Sequence, residues 1–276
     1  MQKLLYTLLF FLFTLSAINA QNLKFWHLTI RERLSNNSIN CLLQDSKGFM
    51  WIGTSDGLNR YDGYKFDIYL HNPKDKYTLS NNFVNALYED KKQNIWIGTQ
   101  SGGLCKYDRK YNRITQVEEI RNVIVSAFVE EGDKLWVAAQ DRLFYFDSPS
   151  NKFLAYPEFT KSTIMTMDLL NNNMLLVGTT DAGVYSIDTK TGKIQQFLHK
   201  EEEKNSLCYN RITSIYKDIK GNVWIGTEKG LDRFDAETST FNHFLVDKNP
   251  KNSPLVNSFK QITGHGKEVF FATENG

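Results

Sequence analysis

Cysteine is scarce in this chain, and Cys41, Cys105 and Cys208 form no C-x-x-C pair. An odd count cannot be fully paired within one chain, so a disulfide framework is not expected, and a metal site still less. Cys41 and Cys105 fall in strand-like runs, where a buried free thiol is the expected role. An excess of charge of one sign is also missing: 33 Lys and Arg against 31 Asp and Glu leave +2, with no basic run. Nucleic-acid binding needs a concentrated positive face, so no nucleic-acid partner is expected. The cluster Glu201-Glu202-Glu203 between Lys200 and Lys204 reads as a solvated loop. The five histidines are scattered, four of them (His27, His71, His199 and His243) in or beside presumed outer strands. There is no G-x-S-x-G, no H-E-x-x-H and no clustered His/Cys set, so no catalytic residue, cofactor or metal ligand is nominated.

The one apolar run, Leu4–Leu15, is too short to span a bilayer comfortably. Lys3 precedes it and the small residues of Ser16–Ala20 follow, which is the layout of a signal peptide over residues 1–20, cut before Gln21. The mature chain is therefore expected outside the cytoplasm, with residues 21–276 forming a single domain. No helical periodicity of useful length follows the signal segment.

What the chain does have is repetition. Leu34–Asp62 (LSNNSINCLLQDSKGFMWIGTSDGLNRYD) returns as Leu79–Asp108 and Leu207–Asp235, with weaker copies between and after. Measured on the Trp of WIGT, the marks are Trp51, Trp96, Trp136, Leu176, Trp224 and Phe270, spaced by 45, 40, 40, 48 and 46 residues. Within the first unit, Ile39–Gln44, Phe49–Thr54, Leu58–Tyr61 and Lys65–Leu70 are short apolar runs separated by turn residues, including the hairpin signal Asp62-Gly63. Four strands per unit and a period in the forties predict an all-β β-propeller. Sandwich strands do not recur as a four-strand unit, and β-helix repeats are much shorter. About five complete four-stranded blades and an incomplete sixth are expected. Asn22–Thr29 reads as the outer strand of a unit placed ahead of the first complete one. The final Thr273-Glu274-Asn275-Gly276 aligns with the turn after a second strand, so the propeller is expected to be incomplete at its C-terminus, as part of a longer protein or a truncated frame.

Residues that return in every unit are expected to serve the blade. Trp51, Trp96, Trp136 and Trp224 can bury in the seam between blades. Gly53, Gly98, Gly178 and Gly226, with Ala138 and Ala272 in the other units, allow close packing near the axis. The Asp45/Gly48 and Asp218/Gly221 turns suit a hairpin in which Asp caps its own backbone; a calcium loop would need further oxygen ligands that are missing. Asn37 recurs as Asn82, Asn122, Asn210 and Asn257, with Ser162 in the fourth unit. These residues either form the turn before each inner strand or ring the channel mouth with amides. The turns between second and third strands vary most: Ser55-Asp56, Gln100-Ser101, Gln140-Asp141-Arg142, Thr180-Asp181 and Glu228-Lys229. They are expected to share a face with the loops entering the inner strands, where polar groups converge on a ligand. The candidate ligand-binding set is thus Asn37, Ser55, Asp56, Asn82, Gln100, Ser101, Gln140, Asp141, Arg142, Asp181, Asn210, Glu228 and Lys229. Arg142 stands where other units have Gly, and with Asp141 it is either an anion or sugar contact or a solvated turn.

The sentence LSNN, strand, D-x-x-G-x-x-WIGT-x-x-GL-x-R-[YF]-D resembles the two-component regulator propeller repeat, sharpest in Leu34–Asp62, Leu79–Asp108 and Leu207–Asp235. The third and fourth units depart from it, with WVAA and LLVGT in place of WIGT. The resemblance implies the periplasmic sensing region of a Bacteroides-type hybrid two-component system. It also implies seven-bladed rings, usually two in series, followed by a β-sandwich, a membrane helix, a histidine kinase and a response regulator. It implies that the ligand is an oligosaccharide released from glycans, sensed to control genes for its use, and that the propeller itself is not an enzyme. The partners to expect are that oligosaccharide, the remaining blades, the downstream sensor and kinase domains, and a second copy in a homodimer. An exported propeller lyase or glycosidase, or a protein-interaction scaffold, is the alternative.

Overall fold

The computed structural model describes residues 26–244 and 257–274, and its strands fold back on their neighbours in sets of four. Blade 1 is β1 (Ile39–Gln44), β2 (Met50–Thr54), β3 (Gly57–Tyr61) and β4 (Phe66–Tyr69). Blade 2 is β5 (Val84–Glu89), β6 (Ile95–Thr99), β7 (Gly103–Asp108) and β8 (Arg113–Arg121). Blade 3 is β9 (Val125–Glu131), β10 (Lys134–Ala139), β11 (Arg142–Asp147) and β12 (Lys152–Ala155). Blade 4 is β13 (Ile164–Asn171), β14 (Met174–Thr179), β15 (Val184–Asp188) and β16 (Ile194–Phe197). Blade 5 is β17 (Ile212–Lys217), β18 (Val223–Thr227), β19 (Leu231–Asp235) and β20 (Thr240–Phe244). A sixth sheet holds β21 (Phe259–His265) and β22 (Glu268–Thr273) among the described residues. Every sheet is an antiparallel meander, as expected of a β-propeller, and the first strand of each blade lies against the first strand of the next.

The second strands are the buried heart of each blade. Along β6 every residue is buried, and Trp51 and Trp136 are almost completely enclosed. The Trp rings lie in the seams: Trp51 meets Tyr107 of blade 2 with centroids 4.8 Å apart, Trp96 meets Phe153 of blade 3 at 5.4 Å, and Trp224 meets Phe271 of the sixth sheet at 5.3 Å. A buried indole N–H must find an acceptor. Asp45 accepts it from Trp51 at 2.8 Å, Asp90 from Trp96 at 2.8 Å and Asp218 from Trp224 at 3.1 Å, always six residues earlier. In blade 3 the acceptor is Glu131, 2.9 Å from the Trp136 indole.

The same carboxylates build the turns. Asp45 Oδ1 accepts from the backbone N–H groups of Lys47 and Phe49, and Asp218 Oδ1 from Lys220 and Asn222. Gly48 and Gly221 close these turns at φ +87° and +85°, while Gln93 adopts +63° at the matching place in blade 2. Close approach explains the WIGT glycine. A Cβ on Gly98 would lie 2.7 Å from Val125 Cγ1 and 2.8 Å from the Val125 carbonyl oxygen, at the start of the next inner strand.

Two sequence expectations need correction. Trp26–Thr29 are not a strand, and Asn22–Phe25 lie outside the described residues, as does the signal segment. Thr29 instead caps a 3-10 turn, Ile30–Glu32, with the Glu32 carboxylate returning to the Thr29 N–H at 2.8 Å. That reciprocal cap satisfies the local backbone and leaves the strand-like composition without a ladder to join. Asn37 and Asn82 do not supply the side-chain turn either. The residue before each of these two does: Asn36 accepts from Ser38 N–H and Asn81 from Phe83 N–H. Of Asn37, Asn82, Asn122 and Asn210, only Asn122 takes a left-handed conformation, at φ +54°.

Burial alone would push the Asp45 carboxyl up, but the Trp51 indole, Arg109 and the turn N–H groups hold it below the usual carboxylate range. Asp218 is held down in the same way by Asn222, Trp224 and the turn. A depressed folded value gives stabilisation that is complete above the unfolded value, about pH 4, and lost as pH falls through the folded value. Asp45→Ala should therefore lower the urea midpoint at pH 7 by an amount worth about 3 kcal/mol and flatten the loss of stability below pH 4. Equal acid sensitivity of variant and parent would contradict this role.

Candidate functional site

Each first strand carries a β-bulge at the same place, and the bulged residues are Asn40, Asn85, Ser126, Met165, Thr213 and Lys260. Bulges commonly re-aim side chains near functional sites. In blades 1 and 2 and in the sixth sheet they set polar groups beside the turns that join second and third strands. Asn85 Nδ2 donates to Gln100 Oε1 at 2.8 Å, Ser55 Oγ reaches Asn40 Oδ1 at 3.5 Å, and Lys260 pairs with Glu274. Arg211, beside the fifth bulge, pairs with Glu228 at 2.7 Å. The turns themselves are tied to the entry loops through the backbone: Ser55 N–H to Ser38 O, Gln100 N–H to Phe83 O, Gln140 N–H to Ile124 O and Thr180 N–H to Thr163 O. Turns and entry loops thus share one face, forming a collar of amides, hydroxyls and paired charges.

Most of the predicted site residues in this collar are already engaged. Asn37 Oδ1 accepts from Ile30 N–H at 3.0 Å. Asn82 Oδ1 accepts from His71 N–H at 2.6 Å, and its Nδ2 donates to Asp56 at 2.8 Å. Asn210 Oδ1 accepts from His199 N–H at 2.7 Å. The rings of His71 and His199 close the same loops, with Nδ1 at 2.5 Å and 2.7 Å from the carbonyls of Leu79 and Leu207. Asn82 and Asn210 therefore pin the chain leaving one blade to the start of the next. Asp181 is taken by Ser162 Oγ, and Lys229 lies 4.1 Å from the Tyr209 ring centroid. Gln140, at φ +56°, hands the chain to β11 and accepts Ile164 N–H from blade 4 at 2.7 Å. Ser101 and Arg142 are exposed and Asp141 is half-buried.

The opposite ends of the blades carry a network not anticipated from spacing. Arg109 of blade 2 bridges Asp45 of blade 1 at 3.0 Å and Glu89 at 2.8 Å, and Glu89 also takes the Ser46 N–H at 2.6 Å. It is a scaffold bond between blades. The thiols are free: Cys105 is buried, Cys41 and Cys208 partly so. Burial pushes the Cys41 thiol up to about 12 and raises Cys105 and Cys208 too, so none is primed as a nucleophile. Folding also gathers Cys208, Asp232 and His243, separated by 24 and 11 residues, with ligand atoms within 4.8 Å of one another. Sequence spacing conceals this cluster; the repeat alignment, which puts Asp232 where blade 1 has Asn59, is the signal that could have shown it.

The family described as two-component regulator propeller matches residues 33–56, 78–101 and 206–229. The chain is thus a β-propeller that carries two-component regulator propeller repeats. It is similar, at 27% identity and a TM-score of 0.76 over 90% of its length, to the extracellular domain of the putative hybrid two-component system BT3049 of B. thetaiotaomicron. It covers 34% of that domain. A 76-residue stretch is 37% identical to "Histidine kinase P4" of Formosa agariphila, of which it covers 6%. At 16% identity, virginiamycin B lyase of Staphylococcus aureus shares the fold, with a TM-score of 0.63 over 85% of this chain and 77% of the lyase. No helix among the described residues is long and apolar enough to cross a membrane.

If Asn82 is a structural pin, Asn82→Ala should destabilise the fold by about 1–2 kcal/mol, read as a lowered thermal midpoint. Arg142→Ala should leave that midpoint in place. Equal midpoints for Asn82→Ala and the parent would remove the pin.

Proposed function

We propose that this chain is part of the extracytoplasmic, ligand-sensing propeller of a hybrid two-component sensor. The carrying observation is the likeness to the BT3049 extracellular domain over 90% of the chain, in a protein whose repeats match the two-component regulator propeller. The remaining blades and a downstream kinase are its partners in the full protein, where a periplasmic domain would report through an inner-membrane anchor. The propeller ring is seven-bladed and works as a homodimer in this reading.

The ligand is an oligosaccharide derived from a glycan, and its arrival switches genes for using it. The collar supports this ligand class, since amides, hydroxyls and paired charges match a hydroxyl-rich molecule that carries both donors and acceptors. Binding rests on Gln140, Asp141 and Arg142, because the side-chain oxygens of Asn37, Asn82 and Asn210 are spent on backbone N–H groups. The propeller does no chemistry on the ligand.

Calorimetry of the complete extracytoplasmic region against a panel of oligosaccharides tests this reading. At least one glycan should bind, and Arg142→Ala should weaken it about tenfold or more, the worth of a hydrogen bond from a charged donor. The oligosaccharide should be recovered intact. Cleavage would turn the assignment toward a propeller lyase or glycosidase, and binding of none would remove the glycan.

A further inference from the structure

Blade 5 departs from the first two blades at three positions that the fold brings together. Its entry loop has Cys208 where they have Ser35 and Ser80, and its third strand has Asp232 where they have Asn59 and Cys105. Opposite Asp232 on the outer strand stands His243, where they have Ile68 and Gln116. In blade 1 this plug is neutral: Ser35 N–H donates to Asn59 Oδ1 at 2.9 Å, and Asn59 Nδ2 donates to Ser35 Oγ at 2.8 Å. In blade 2, Cys105 Sγ meets Ser80 Oγ at 3.2 Å. Blade 5 replaces the plug with a thiol, a carboxylate and an imidazole.

Each of these groups is held in place. The Asp232 side chain is fully enclosed, its Oδ2 accepting the Cys208 N–H at 2.9 Å and its Oδ1 lying 2.5 Å from His243 Nδ1. His243 Nε2 is 2.7 Å from the Lys204 carbonyl oxygen. A carbonyl can only accept, so Nε2 carries a proton and Nδ1 is the atom turned toward Asp232. An imidazole fixed by its far N–H on a backbone carbonyl is the usual outer support of a metal-bound histidine. Cys208 Sγ, 3.2 Å from Thr227 Oγ1, completes the set.

We propose that Cys208, Asp232 and His243 form a site for a divalent transition-metal ion, with zinc as the fitting occupant and a fourth position left open. A thiolate, an imidazole and a carboxylate suit zinc, whose ligands sit tetrahedrally about 3.4 Å apart at the usual bond lengths. His243 lies on the outer strand, and a swing of its ring by about 1 Å would reach that spacing. Binding releases two protons, one from the Cys208 thiol and one shared between Nδ1 and Oδ1. The ion would tie the entry loop, third strand and outer strand of blade 5 together.

The test uses the full chain with zinc alone, then cobalt(II). After zinc loading and dialysis, one zinc per chain should remain. Cobalt should give a thiolate-to-metal charge-transfer band and the strong visible bands of a tetrahedral site. Cys208→Ser introduces the residue that blades 1 and 2 use, so it should fold. It should abolish the charge-transfer band and weaken zinc binding at least about tenfold, since even loss of an outer support costs that much. His243→Gln should weaken zinc similarly, and Cys41→Ser should leave both readouts unchanged. Failure of the folded parent to retain zinc, or a cobalt charge-transfer band that survives Cys208→Ser, would overturn the site.

Discussion

Blades 1, 2, 3 and 5 share one bond, between a buried indole and a carboxylate placed just before the second strand. The Trp of each strong repeat fills a seam against the next blade, and its N–H would be costly to bury without an acceptor. The acceptor is also the residue that shapes the preceding turn, so turn, strand and seam are fixed by one side chain. Where the Trp is gone the carboxylate is gone too: Leu176 and Phe270 are preceded, six residues earlier, by Leu170 and Gly264. Arg109 adds a link by bringing the charge of blade 2 onto Asp45 of blade 1.

This division of labour separates the blade body from its rim. The repeated Trp, Gly and Asp residues pack or cap, and their chemistry is consumed in doing so. The same holds for Asn82 and Asn210, which tie successive blades through His71 and His199. In the proposed reading, contact with a ligand falls to Gln140, Asp141 and Arg142, which vary among the repeats. Variation within one blade can also accumulate into a new arrangement, as at Cys208, Asp232 and His243.

Much of the fold was legible because the signal repeats. Period, turn residues and short alternating runs located all four strands of blade 1 to within one residue at each end. The Trp seams and the Gly close approaches followed from side-chain size alone. Contacts that depend on register were less legible. The bulges at Asn40 and its equivalents leave no mark in composition, yet they decide which residues face the collar. The Asx turns belong to Asn36 and Asn81, one residue before the asparagines that recur most widely, because the latter are drawn off to bind the preceding loop. At Trp26–Thr29 the strand-like composition was misleading, and the Thr29-x-x-Glu32 pattern was the better guide. The blade 5 cluster joins residues from three elements, so linear spacing could not bring it into view.

The central claim is that the carboxylate and the indole act as one unit in holding a blade. A double-mutant cycle on Asp90 and Trp96 measures it most directly, with Asp90→Ala, Trp96→Phe and the double variant followed by urea unfolding. The account predicts that once either partner is lost, losing the other costs less, with a coupling of about 1–2 kcal/mol. Strictly additive effects would contradict it.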